Sequence, residues 1–290
     1  MNYIVYNNLE DILKNAENAP EKWNYYVYGL RWSSITNPKT PHERKFYGAS
    51  TKDVICEVRK THPKDAKITS NAMLNISSDV FMKKRFSFVN KQLNGCRVDI
   101  PRYLSGDPRC FFNVKKVRRE NRAVRVYASI GGNSGRSSHE LAVCGSLACA
   151  VTEYLESNGV NVELWAVTAI NDMFSVGGNS KDATDCDAVH LVKLKDSTSY
   201  IDLGLASFIC GYDKFFRNIV FKSYYKYGDS VFNMGYRLDS RLGRVVRFNK
   251  DMLPPGSDDK ENSIIIPQFY SIDGAKRWFN EFVENNFRGK

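Results

Sequence analysis

One stretch limits the fold more than any other: residues 124–167 read as strand, glycine loop, amphipathic helix and strand. Val124-Arg-Val-Tyr-Ala-Ser-Ile130 alternates and is rich in β-branched residues, the pattern of a half-buried strand. Gly131-Gly-Asn-Ser-Gly135 then turns the chain, and Ser137 with Glu140 has the spacing of a helix capping box. Leu141, Cys144, Leu147, Ala148, Val151, Tyr154 and Leu155 recur at three and four, so one helical face is apolar. Asn158-Gly159 ends the helix, and Val162 to Val167 forms the next strand. Such a βαβ unit implies a parallel pair joined by a right-handed crossover.

The chain beyond it continues the alternation. Ala188 to Leu194 reads as a strand, antiparallel to 162–170 across the polar loop Asn179 to Asp187. Residues 199–227 read as one or two helices, Arg244 to Phe248 as a strand, and Ser263 to Ile266 as a short strand before Pro267. Ser271 to Asn286 is the last amphipathic helix. This pattern predicts an α/β three-layer sandwich around a mainly parallel sheet over residues 121–290. Residues 1–120 are expected to form an N-terminal α+β region packed on that core. Within it a helix spans Leu9 to Ala19 and a capped helix starts at Ser50.

Composition matters chiefly through the placement of charge. The net charge of +10 hides strong segregation. Lys83 to Arg122 carries 12 basic and 3 acidic residues, a net of +9; Ser137 to Ile209 carries 3 and 10, a net of −7. Lys214 to Lys250 carries 9 and 2, a net of +7. Two basic segments around an acidic middle favour polyanions as partners.

Other classes are set aside on residue pattern. No run of 18 apolar residues suggests a spanning helix, and the N-terminus MNYIVYNNLEDILKN lacks the features of a signal peptide. The seven cysteines form no CxxC pair, so reduced and mostly buried thiols are expected.

The segment Val98-Asp-Ile-Pro-Arg-Tyr-Leu-Ser-Gly-Asp-Pro-Arg-Cys110 precedes a βαβ unit that ends in Leu155-Glu-Ser-Asn-Gly-Val-Asn-Val-Glu-Leu-Trp165. Together they resemble a tailed-phage protein family of unassigned function, over about 70 residues. The resemblance implies a phage context and host cytoplasm, and supplies no chemistry. The βαβ unit also resembles a von Willebrand A domain, a doubly wound fold with a metal motif Asp-x-Ser-x-Ser after its first strand. On this chain that pattern falls on Gly132, Ser134 and Arg136. One of three ligands survives and an Arg stands where a cation would sit, so the fold carries over and the metal does not.

Three groups of residues suggest binding. The glycine loop lies at a strand's C-terminal end and a helix N-terminus, where Gly132, Asn133, Ser134 and Arg136 could hold an anion; a purely structural turn is the alternative. Lys115, Lys116, Arg118, Arg119 and Arg122 form a basic cluster just before the first strand, suited to phosphate or an acidic protein. Between Phe208 and Tyr236 ten aromatics interleave with cations. A helical wheel gathers Lys214, Arg217, Lys222, Tyr224 and Tyr225 on one side, joining cations for phosphates with rings for unstacked bases. Asp182, Asp185, Asp187 and His190 do not match a metal loop and read as a polar hairpin. No nucleophile–base order stands out, so no catalysis, metal or cofactor is expected.

The function expected from these features is nucleic-acid binding, single-stranded DNA above duplex, in phage transcription or replication, with recruitment of a phage polymerase. The rival is a protein–protein adaptor or virion component without catalytic activity. A weaker alternative is an enzyme acting on a phosphorylated ligand at the glycine loop. The two basic segments are expected to lie side by side on one face.

Overall fold

The computed structural model describes residues 2–18, 25–27, 30–32, 49–60, 71–76, 88–92, 97–98, 111–114, 123–130, 138–171, 188–220, 222–223, 244–255, 262–269 and 271–287. Its centre is the expected unit. Strand β7 (Ala123–Ser129) leads to helix α3 (Ser138–Ser157) and then to strand β8 (Asn161–Asn171). β7 and β8 pair in parallel from Ala123↔Asn161 to Ser129↔Val167. At the helix end Gly159 takes φ 83°, a left-handed value that glycine adopts without strain, and Val160 N donates to Leu155 O at 3.1 Å.

Around this unit the sheet order is β1-β9-β8-β7-β11. β11 (Ser263–Ile266) joins β7 in parallel, and β9 (Ala188–Lys195) joins β8 antiparallel with a bulge at Leu164/Trp165. β10 (Arg244–Val246) pairs antiparallel with the last residues of β8, Arg244 opposite Asn171. β1 (Asn2–Tyr6) is parallel to β9, with Asn2 opposite Ala188. Residues 2–6, expected in a region packed on the α/β core, thus supply a strand of that core's own sheet. Two small sheets stand apart: β2 (Tyr25–Val27) with β3 (Leu30–Trp32), and β4 (Phe88–Gln92) with β6 (Phe111–Val114) and β5 (Arg97–Val98).

The sequence predicts helices on both sheet faces. Among the described residues every α-helix packs on one. Ile4, Val126, Ala128, Leu164, Ala166, Val192 and Ile266 point to that face and share one core with α1 (Leu9–Glu17), α2 (Thr51–Val58), α3, α4 (Leu203–Gly211) and α5 (Ile272–Phe287). The opposite parity carries Tyr127, Trp165, Val167, Ala169, Val189 and Leu191, closed by Phe248, Met252 and Leu253. A short irregular segment therefore covers the place where a second helix layer was expected.

Local chemistry fixes each helix in its place. Asn8 caps α1 by accepting from Asp11 N, and Ser50 and Asp53 form a complete capping box on α2. Arg59 at the end of α2 ties both helices together through Glu10 at 2.6 Å and Glu17 at 2.8 Å. α3 and α4 touch where Gly145 meets Gly211: a Cβ on Gly145 would stand 2.9 Å from Gly211 N and 3.1 Å from Cys210 C. Lys195 locks the end of β9 to the end of α3. Its buried Nζ reaches Glu156 Oε1 at 2.7 Å and donates to Val162 O and Asp196 O, each at 2.8 Å.

Candidate nucleic-acid interface

The sheet register shows where each basic segment is anchored. The cluster 115–122 ends at Ala123, level with Asn161 at the start of β8. The segment 224–243 ends at Arg244, level with Asn171 at the far end of the same strand. Asn161 and Asn171 stand at the two ends of an 11-residue strand, roughly 33 Å apart at the usual strand rise. The stretches 115–122 and 224–243 therefore reach the sheet at opposite ends of its strands, at Ala123 and Arg244. The end that holds Arg244 is also where 131–137 follows Ile130 and where 172–187 links β8 to β9.

The root of the glycine loop is well tied. Ile130 N donates to Val167 O at 2.7 Å, Thr168 Oγ1 donates to Ile130 O at 3.2 Å, and Gln268 Nε2 donates to Ser129 Oγ at 2.9 Å. Gly132, Asn133, Ser134 and Arg136 themselves lie outside the described residues. So do Lys115, Lys116, Arg118, Arg119, Arg122, Tyr224, Tyr225, Asp182, Asp185 and Asp187.

Three of the expected contact residues are described, and two need correction. Lys214 is half-buried and lies 3.7 Å from Glu57 Oε2 on α2. Arg217 is only 8% exposed, so it cannot serve as the solvent-facing phosphate contact that the helical wheel suggested. Lys222 is 4% exposed, and its Nζ donates to Ala16 O at 3.4 Å, in the last turn of α1. A cation there complements the negative end of the helix dipole, which gives Lys222 a structural use. The wheel failed for a geometric reason. A short helix at Asp213–Phe215 runs into a π-helical turn at Phe216–Val220, where each residue advances less than the roughly 100° of an α-helix.

Sequence reasoning counted Arg247 and Lys250 in the second basic segment without singling them out. Both are exposed, on the segment whose Phe248, Met252 and Leu253 close the face that carries no α-helix among the described residues. Two cations set among apolar residues in Arg244-Val-Val-Arg-Phe248 were the available signal.

His190, first met beside three aspartates, is fully buried on β9. Its Nδ1 lies 3.3 Å from Ser223 Oγ, and burial pulls its pKa down to about 3. Cys144, Cys149 and Cys210 are buried thiols and Cys56 is an exposed one, none of the four in a disulfide, and Cys144 Sγ donates to Phe269 O at 3.6 Å. Burial pushes the Cys149 thiol up to about 12, and raises Cys210 as well, which removes the thiolate that metal binding or nucleophilic attack requires. Among the described residues no group of three or more His, Cys, Asp or Glu could hold a metal ion. Among the same residues no helix is long and apolar enough to cross a membrane.

A family model described as a domain of unknown function (DUF7192) matches residues 2–288, from β1 through α5. The chain belongs to that family. No curated protein and no solved structure matches it. The match to DUF7192 takes in both basic segments as well as the acidic middle.

Proposed function

We propose that this chain binds nucleic acid, single-stranded DNA in preference to duplex, in phage transcription or replication, through recruitment of a polymerase. The observation that carries the binding is charge segregation. The acidic stretch Ser137 to Ile209, net −7, supplies α3, β8, β9 and most of α4. The stretches of net +9 and +7 flank that core in the sequence. The phage role rests on the resemblance of residues 98–110 and 155–165, and host cytoplasm follows from it. The βαβ unit is likewise what supports a von Willebrand A-like reading of the fold, with Gly132 and Arg136 in place of metal ligands.

With Arg217 and Lys222 set aside, the contacts proposed are Lys115, Lys116, Arg118, Arg119, Arg122, Lys214, Tyr224 and Tyr225, with Arg247 and Lys250 added. Gly132, Asn133, Ser134 and Arg136 would take a phosphate at the helix N-terminus. The role needs no catalytic step and no cofactor. Fluorescence anisotropy with an unstructured oligonucleotide at several salt concentrations tests it. Affinity should fall with salt at a log–log slope of roughly −0.7 per phosphate contacted. Lys116→Ala and Arg119→Ala should weaken binding and flatten the slope. Tyr225→Ala should cost about 1–3 kcal/mol through lost stacking and leave the slope intact. Binding weaker than roughly 10⁻⁴–10⁻⁶ M at physiological salt removes the proposal and puts the adaptor or virion-component reading in its place.

A further inference from the structure

We propose that Tyr3 is a positioning residue for the proposed interface: its hydroxyl latches the segment 247–253 across the sheet and so holds Arg247 and Lys250 in place to meet a phosphate backbone. The inference rests on the binding role proposed above and adds to it a residue that never touches nucleic acid.

Residues 247–253 follow β10, the strand that pairs with the end of β8. Their side chains divide by burial: Phe248, Met252 and Leu253 go down onto the sheet, while Arg247, Asn249, Lys250 and Asp251 are exposed. The turn is stiff within itself. Asn249 Oδ1 accepts from Asp251 N at 2.9 Å, Met252 N donates to Asn249 O at 3.1 Å, and Leu253 N donates to Lys250 O at 3.3 Å. A turn closed by three hydrogen bonds moves as one piece, so whatever fixes its ends fixes both cations. One end is the Phe248 ring, 5.8 Å from that of Tyr127 on β7. The other is Leu253, whose carbonyl accepts from the Tyr3 hydroxyl at 3.2 Å. Tyr3 lies on β1, so the segment bridges β7 and β1 with β8 and β9 between them. Tyr3 is itself held: β1 pairs with β9 from Asn2 to Tyr6, and Ile4 and Tyr6 are buried in the core of the opposite face. Burial of Met252 and Leu253 keeps the segment down, but the hydrophobic effect has no direction. A hydrogen bond to a fixed hydroxyl supplies one.

Tyr3→Phe keeps the ring and removes the latch. Trypsin cleavage after Arg247 requires Phe248 to leave the sheet, so its rate follows the population in which the segment has lifted. In Tyr3→Phe that cleavage should be about fivefold faster, the worth of one ordinary hydrogen bond, with cleavage after the exposed Arg59 and Arg277 unchanged. Affinity for an unstructured oligonucleotide should fall, by no more than the same factor. The deciding readout is a cycle with the double variant Arg247→Ala/Lys250→Ala. There Tyr3→Phe should weaken binding no further, because the residues it positions are gone. Unchanged cleavage after Arg247 would overturn the inference, and so would a rise shared by Arg59 and Arg277, which is general loss of stability. Faster cleavage with unchanged affinity would leave a latch that positions nothing for binding, and overturns it too. An equal loss of affinity in the double variant does the same, since Tyr3 would then act through something other than those cations. If wild type binds no oligonucleotide, the binding role fails while the digestion still decides whether the latch exists.

Discussion

On one face of the main sheet Val126, Leu164 and Val192 share a core with the buried side chains of the α-helices; on the other, among the described residues, Tyr127, Trp165 and Leu191 are closed by the segment around Phe248, Met252 and Leu253. The helix side is mostly aliphatic, and the polar groups on it are locked: Lys195 by Glu156 and two carbonyls, His190 by Ser223. The other side is aromatic and partly charged. Tyr127 stacks on Trp165 with centroids 6.4 Å apart and meets Phe248 at 5.8 Å, while Lys193 Nζ sits 5.1 Å from the centre of the Trp165 ring. A face closed by helices can bury aliphatic side chains in bulk. A face closed by one short segment relies on large rings, which bury more area per residue. The difference teaches that the two closures should fail differently.

The largest effect should come from Phe279→Ala. Phe279 is fully buried on α5 and packs edge-on against Tyr154 of α3 at 5.8 Å. Its loss should cost about 3–5 kcal/mol, measured by urea denaturation, and loosen the whole domain. Phe248→Ala removes as large a ring from the other face. Residues 247–253 can lift without unpairing the sheet, so its cost should be smaller and faster hydrogen exchange should concentrate on that segment. Equal costs with exchange raised throughout would erase the distinction between the faces.

How much of this was legible follows the range of the interactions. The β7–α3–β8 unit, the antiparallel β9 and the helix α5 are written in local periodicity and Gly159, and the structure has them where expected, while Ser137 of the expected capping box lies outside the described residues. β1 was not legible as part of the main sheet. Its partner β9 begins at Ala188, and nothing in Asn2–Tyr6 specifies a parallel neighbour so far along the chain. The one helical layer among the described residues was hidden for a similar reason, because a nearly continuous apolar run such as Leu164 to Ile170 reports that both faces are covered and not by what. Of the proposed interface, charge segregation is plain in the sequence. The burial of Arg217 and Lys222 is not, since a π-helical turn changes the phase of every later residue. Tertiary placement decided those two residues, and a wheel drawn at constant pitch could not foresee it.

A smaller effect separates the faces by pH. An unfolded histidine titrates near 6.5, whereas burial lowers His190 to about 3. Above 6.5 the group is neutral in both states and pH has no leverage on it. Below 6.5 the unfolded chain takes up a proton that the folded one refuses, so stability falls as pH drops, levelling off near 3. Between pH 7 and 5 the loss should reach about 2 kcal/mol. Glu153 on α3 acts in the opposite sense: burial, then the nearby Glu156, raises its pKa, so its protonation favours the folded state as pH falls. The comparison is therefore made against His190→Leu, whose unfolding free energy should change by about 2 kcal/mol less over that interval. Parallel pH profiles for the two proteins would show that the helix-covered face admits water at β9.

The smallest effect belongs to the charges of the face that Phe248, Met252 and Leu253 close. Glu163 Oε2 lies 3.1 Å from Arg125 Nε and accepts from Trp165 Nε1 at 3.3 Å, while its Oε1 lies 3.7 Å from Lys193 Nζ. Arg125 is about a third exposed, so solvent screens much of the attraction, and Lys193 also reaches Asp196 at 3.2 Å. Glu163→Gln keeps an acceptor for the indole and removes only the charge. It should cost about 1 kcal/mol or less, the range of partly exposed pairs. Raising ionic strength to about 1 M shortens the Debye length to about 3 Å and should shrink that cost further. A buried pair behaves otherwise: removing one partner costs about 3–5 kcal/mol, and salt changes it little. If Glu163→Gln shows that larger, salt-independent loss, residues 247–253 seal their face as tightly as the α-helices seal the other, and the contrast in how the two closures fail would have to be given up.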